Sequence, residues 1–220
     1  MGTQPVRDAY SSRAEQYIAL FDGDWKTFED ETALVRDHLV GVDGRVLDLG
    51  CGPGHWTAYL HAHGADVTGV DLVPEFIAHA RASFPGPEFR LGSMTELDVP
   101  DRSVAGILSW YSTIHLPPEE LDQVLAEFHR MLVPGGRLVI GFFDSDDTVA
   151  AFDHKVLTAY RWPVVEFSAR LAKAGFTELR RLRQQFPDRP DRKYAAIAAG
   201  TRSPDRANRV TGDRPAERWV

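Results

Sequence analysis

The chain has 220 residues, 43% of them hydrophobic and 26% charged, which is enough apolar material for the core of one ordinary domain. With 25 basic and 32 acidic residues the formal net charge is −7, which argues against a protein held mainly by nucleic acid or by an anionic membrane, since both call for a basic surface. No apolar run approaches the roughly 18–20 residues of a membrane span, the opening MGTQPVRDAYSSRAEQY has no signal-type apolar core, and the single cysteine, Cys51, can form no internal disulfide; a cytoplasmic protein is expected.

Taken in order, strand-like and helix-like segments alternate, as in an α/β fold with a mainly parallel sheet. Tyr10, Ala14, Tyr17, Ile18 and Phe21 share one helical face, and a second amphipathic segment, about Trp25 to Val40, carries Phe28, Leu34, Val35 and Leu39. Strands are expected at 45–49, 65–70, 87–91, 104–110 and 136–143, with helices over 55–63, 74–83 and 118–132. Leu121, Val124, Leu125, Phe128, Met131 and Leu132 keep the 3.6-residue spacing in the last of these, and Pro118 suits its first turn. Residues 144–162 read as irregular, 163–174 as a helix ending before Gly175, and 177–185 with 193–199 as a closing pair of strands. The domain organisation expected is an N-terminal helical lid over 1–42, a core over 43–201, and a disordered tail over 202–220 that has almost no core-forming residues.

The informative stretch is Val46-Leu47-Asp48-Leu49-Gly50-Cys51-Gly52-Pro53-Gly54, a buried strand running into a glycine turn and then a helix. Alternate glycines let the backbone turn sharply and approach a ligand with no Cβ in the way. The dinucleotide fingerprint G-x-G-x-x-G would need glycine where His55 stands, and no Gly-Lys-Ser/Thr of a phosphate loop is present. Asp71 closes the second strand, where a carboxylate can accept from both hydroxyls of a ribose. A nucleoside across the carboxyl ends of the first two strands is the expectation, and a dinucleotide or triphosphate is disfavoured.

VLDLGCGPG followed by VTGVDL resembles the first two motifs of class I S-adenosylmethionine-dependent methyltransferases. The likeness continues through GSMTELDVPDRSVAGILSWYSTIHL and PPEELDQVLAEFHRMLVPGGRLVIGFF, similar to small bacterial members with a WYS-x-IH segment after the fourth strand. The resemblance implies a Rossmann-like, doubly wound, mostly parallel seven-stranded sheet with helices on both faces and an N-terminal helical lid. It implies S-adenosylmethionine as cofactor and a small-molecule methyl acceptor with an O- or N-nucleophile; a monomer or homodimer is expected, and the acidic charge and the lack of a Cys or carboxylate cluster near His61 and His63 point to no nucleic acid, membrane or metal partner. Asp48, Gly50, Gly52 and Gly54 would line the methionine part of the cofactor; Cys51, grouped with them at the cofactor, reads most simply as a small residue facing the sheet. Asp71 would hold the ribose, Leu72, Ser93 and Met94 the adenine, and Ser109, Trp110 and Tyr111 the sulfonium, with Tyr10 and Tyr17 closing over the cofactor. Relatives often carry an acidic residue where Ser93 stands.

The acceptor side is read more openly. His115 follows the fourth strand and could take a proton from a hydroxyl nucleophile, or could orient the WYSTI loop from a buried position. Tyr111, His154 and Trp162 are candidate substrate contacts, and Asp153-His154 a candidate functional pair. His61 and His63 read as solvated, and Arg180, Arg181 and Arg183 as an exposed strand face. Two rival functions stay open: cofactor binding without methyl transfer, and a dinucleotide-dependent oxidoreductase.

Overall fold

The computed structural model describes residues 3–21, 28–186 and 189–203. It opens with two short helices, α1 (Thr3–Ser11) and α2 (Ala14–Ala19). The expected continuous face breaks between them, yet Tyr10, Tyr17 and Ile18 still converge with Ala14 on Val73 and Phe76. Helix α3 (Glu29–Leu39) has an acidic first turn and Arg36 and His38 in its last, both favourable to the helix dipole. Its Leu34, Val35 and Leu39 are fully buried against Val46, Leu108 and Val139 of the sheet. Helix α3, expected within the lid over 1–42, is therefore a layer of the core, while α1 and α2 pack onto Val73 and Phe76. Trp25 and residues 204–220, where the tail was expected, lie outside the described residues.

There follow β1 (Val46–Leu49), α4 (His55–Ala62), β2 (Val67–Asp71), α5 (Pro74–Ser83), β3 (Glu88–Leu91), β4 (Val104–Trp110), α6 (Pro118–Met131), β5 (Leu132–Ser145), β6 (Ala150–Phe152), β7 (Ala159–Pro163), α7 (Val164–Lys173), β8 (Thr177–Phe186) and β9 (Arg189–Gly200). Strands β1 and β2 are buried at every position, and β4 at all but Trp110, which is why they read as near-continuous apolar runs. The sheet has nine strands. Order β3-β2-β1-β4-β5 is parallel throughout, β9 lies antiparallel to β5, and β8 pairs β9.

Alternate residues of the strands enter two cores. Ile107, Leu138 and Ile140 face α6 and α7 on one side, where Phe142 stacks on Phe167 at 3.9 Å. Leu108, Val139, Ala196 and Ala198 face α3 and α4 on the other. The chain winds outward from β1 in one direction and from β4 in the other, which leaves a crevice at the carboxyl ends of these two neighbours.

The seven expected strands are present, and two more come from the segment read as irregular. Pairing of β5 with β4 ends at Gly141, and β7 joins β5 from Phe143 to Ser145 while β9 continues along β5 to Asp144. The ribbon β6–β7 thus sits in line beyond the end of β4, over the crevice. Tyr160 ties it down by donating its backbone N–H to the Ile114 carbonyl at 2.8 Å.

Candidate functional site

The turn after β1 has Gly50, Gly52 and Gly54 at φ of +78°, +54° and +99°, a region costly to residues with a Cβ. Each serves a different neighbour. A Cβ on Gly50 would stand 2.2 Å from the Ser112 Cβ, so the turn presses against the loop that leaves β4. At Gly52 the nearest atom to such a Cβ is a Tyr17 ring carbon at 4.0 Å, and the backbone is bare toward the cleft. Gly54 faces inward, where a Cβ would meet Ala80 at 2.8 Å and Phe89 at 2.9 Å. Gly54 thus serves the packing of α4, a correction to its expected place at the cofactor. Cys51 likewise turns inward, onto Ile77, Ala80 and Phe89, and burial pushes its thiol well above the usual range. Gly50→Ala should destabilise the fold by about 2–5 kcal/mol through strain and overpacking, read by thermal or urea unfolding. A variant as stable as wild type would mean that Ser112 and the turn are not in contact.

Two carboxylates underlie the turn. Asp71 ends β2 at the cleft, and its two oxygens accept from the backbone N–H of Gly52 at 2.8 Å and of Val73 at 2.9 Å. Burial raises its pKa to about 6, against those hydrogen bonds. Each oxygen keeps a lone pair for a further donor. Asp48 is 1% exposed and lies behind the turn, accepting the Thr57 hydroxyl at 2.6 Å. It is not among the residues lining the cleft, contrary to expectation, and is held instead by Thr57 of α4. Burial raises its pKa from 3.8 to about 7. An acid whose folded pKa is raised binds its proton more tightly in the folded state, so stability is fullest below about pH 4 and falls as pH rises to about 7. Asp48→Asn should flatten that fall in melts across this range; an unchanged slope would assign it to other groups.

Beyond β4, the side chain expected at the sulfonium, Ser109, is fully buried and lies 2.8 Å from the Ser112 hydroxyl, which in turn donates to the Leu49 carbonyl at 2.6 Å. Ser112, not among the expected contacts, also reaches the cleft; its signal in the sequence is its place inside the WYSTIH segment. Trp110 and Tyr111 line the cleft, and Tyr111 holds a left-handed φ of +52°, uncommon for a residue with a side chain. His115 Nδ1 lies 2.8 Å from the Thr158 carbonyl, so Nδ1 carries the proton and donates. Its Nε2, 2.9 Å from the Tyr10 oxygen, accepts the phenol O–H. Burial lowers the His115 pKa, which keeps the ring neutral and Nε2 basic at pH 7.

Tyr10 and Tyr17 meet edge to face at 5.5 Å and cover Phe76. Burial first, and then the Asp71 charge, push the Tyr17 phenol up to about 12. Under them the cleft between Gly52, Asp71 and Ser112 measures about 70 Å³. It shares Leu72, Met94, Ser112 and His115 with a neighbouring cavity of about 780 Å³ that Ser93 also lines. Ligand pockets typically measure ~300–1,000 Å³, and Tyr10 and Tyr17 occupy the space beside the glycine turn. Of the expected acceptor contacts, Tyr111 and His154 line a further cavity, with Asp153. Trp162 does not: its place on β7 opposite Asp144 turns it into the core, 2% exposed, with Phe167 at 5.8 Å and the Arg170 guanidinium over its face.

A glycine turn and an acidic β2 terminus meet here at the switch point of a doubly wound, Rossmann-like sheet, a fold shared with solved methyltransferases. Residues 46–136 match the family described as the methyltransferase domain. The chain is similar to demethylmenaquinone methyltransferase of Chlorobaculum tepidum, 35% identical over 117 residues, 52% of this chain and 47% of that protein. It is 33% identical over 133 residues to the S-adenosyl-L-methionine-dependent Diels-Alderase iccD of Talaromyces variabilis, covering 54% of this chain and 45% of that one. The chain thus spans about half the length of these curated relatives. Among solved structures, 1,6-didemethyltoxoflavin-N1-methyltransferase of Burkholderia thailandensis, with its substrate and S-adenosylhomocysteine bound, superposes with a TM-score of 0.76 at 27% identity, over 91% of this chain and 88% of that one.

Proposed function

We propose that the chain transfers a methyl group from S-adenosylmethionine to a small-molecule acceptor through an oxygen or nitrogen nucleophile, as a member of the type with a WYS-x-IH segment. The observation that carries this is the bare backbone at Gly52 beside the Asp71 carboxylate. The residues fit the cofactor. Asp71 offers acceptors for two ribose hydroxyls, Leu72, Ser93 and Met94 form an edge for the adenine, and the Gly50–Gly52 backbone leaves room for the methionine part. Bound there, S-adenosylmethionine supplies a methyl group already activated on a sulfonium. The protein's work is then alignment and exclusion of water, effects worth up to roughly 7–11 kcal/mol in favourable cases. Tyr10 and Tyr17 close the site, and His115 Nε2 receives the proton of a hydroxyl acceptor once Tyr10 yields its place.

Calorimetric titration with S-adenosylhomocysteine and with NAD(P) tests the reading. Binding of the former alone is expected; binding of NAD(P) alone would replace it with an oxidoreductase. The likeness to a named Diels-Alderase supports a second reading, cofactor binding without methyl transfer. That reading predicts equal cofactor affinity with no methylated product against any acceptor panel.

A further inference from the structure

Tyr111 is a wall shared by two spaces. On one side lies the cleft at the glycine turn. On the other, between the ends of β5 and β9 and the β6–β7 ribbon, is a cavity of about 410 Å³. Rings line it: Phe143 stands 5.5 Å from Tyr111, 5.7 Å from Tyr194 and 5.2 Å from Phe152. Around them are four cations, Lys155, Arg161, Arg192 and Lys193, against one lining carboxylate, Asp153. Lys193 is paired with Asp146, and Arg161 lies over the Phe152 ring at 4.3 Å. Lys155 and Arg192 make no ion pair among the described residues, and both act by charge on His154. The buried Nδ1 of His154 finds no hydrogen-bond partner among the described residues, and its ring is 5.5 Å from that of His115.

In a chain of net charge −7, four cations around one aromatic cavity reverse the prevailing sign locally. Such a focus draws anions, and the rings offer flat apolar area to a planar guest. The sheet order also places this cavity. A ribose at Asp71 and an adenine toward β3 point the other end of the cofactor at β4, and the next space along the sheet is the one behind Tyr111.

We propose that this cavity seats a planar aromatic or heteroaromatic acceptor bearing a negative charge, its rings against Phe143 and Tyr194 and its charged edge toward Lys155 and Arg192. The proposal rests on the methyl-transfer reading above and names the acceptor class for it. In the transfer, with Tyr111 and Tyr10 turned aside so that the two spaces meet, the acceptor's O or N lone pair forms the bond to the methyl carbon, the carbon–sulfur bond breaks with its electron pair left on sulfur, and the acceptor proton passes to His115 Nε2.

The test is calorimetric titration of the full chain with 1-hydroxy-2-naphthoate and with its uncharged carboxamide. At least about tenfold tighter binding of the acid is expected, shrinking to less than about threefold in the Lys155→Gln/Arg192→Gln double variant, whose melting temperature and S-adenosylhomocysteine affinity stay unchanged. Equal affinity for acid and amide, no binding of either at millimolar concentration, or an acid preference that survives in the double variant overturns the proposal. S-adenosylhomocysteine affinity is the separate arm: its absence in the wild-type chain removes the methyl-transfer reading and leaves the charge preference of the cavity standing by itself.

Discussion

Asp71→Ala should weaken S-adenosylhomocysteine binding by about 1.5–3 kcal/mol, the worth of charge-assisted hydrogen bonds to a carboxylate. The carboxylate also receives the Gly52 and Val73 N–H groups, so the substitution frees the turn as well as the sugar contact. Asp71→Asn separates the two effects. Its amide oxygen can still receive one donor, and a smaller loss than in the alanine variant is expected. Calorimetry gives the dissociation constants, and unfolding curves show whether the turn has loosened. An alanine variant with an unchanged dissociation constant would refute the ribose assignment.

His115→Ala should lower turnover on a hydroxyl acceptor by about 10²-fold or more, the contribution expected of a positioned base. The pH profile discriminates further. The base must be neutral to work, and burial lowers the His115 pKa below its ordinary 6.5, so wild-type rate should rise with pH through a limb below that value. The variant should lose the limb. A normal rate with the limb intact would make His115 a support for the loop that binds Thr158, which its Nδ1 contact already allows.

The glycine turn, the acidic β2 terminus and the buried strands were legible because each is a local pattern: glycine spacing, an acid at a strand end, an unbroken apolar run. What escaped depended on distant partners. Strands β6 and β7 are three and five residues long, and β7 is held at one edge by the end of β5, so neither shows a period of its own. Without that pairing Trp162 fits a pocket or the core equally well, and it is the register opposite Asp144 that turns it into the core. Ser112 meets the Leu49 carbonyl across 63 positions of sequence. Asp48, Cys51 and Gly54 were rightly placed in the turn, but which of them faces the cleft is settled by α4 and α5, whose packing the glycine spacing does not encode.

The segment that forms the β6–β7 ribbon departs from β5 after Ser145 and rejoins it through β7 at Pro163, and those two residues are directly paired. The excursion therefore begins and ends at one point of the framework, and much of one flank of the cavity behind Tyr111, from Phe152 to Arg161, hangs on it. The glycine turn and Asp71 contribute nothing to its anchorage. Ligand preference on that flank can consequently be exchanged by grafting residues 147–157 from one member of this fold to another, with Thr158 kept in place because its carbonyl holds the His115 ring beside the nucleoside half of the crevice.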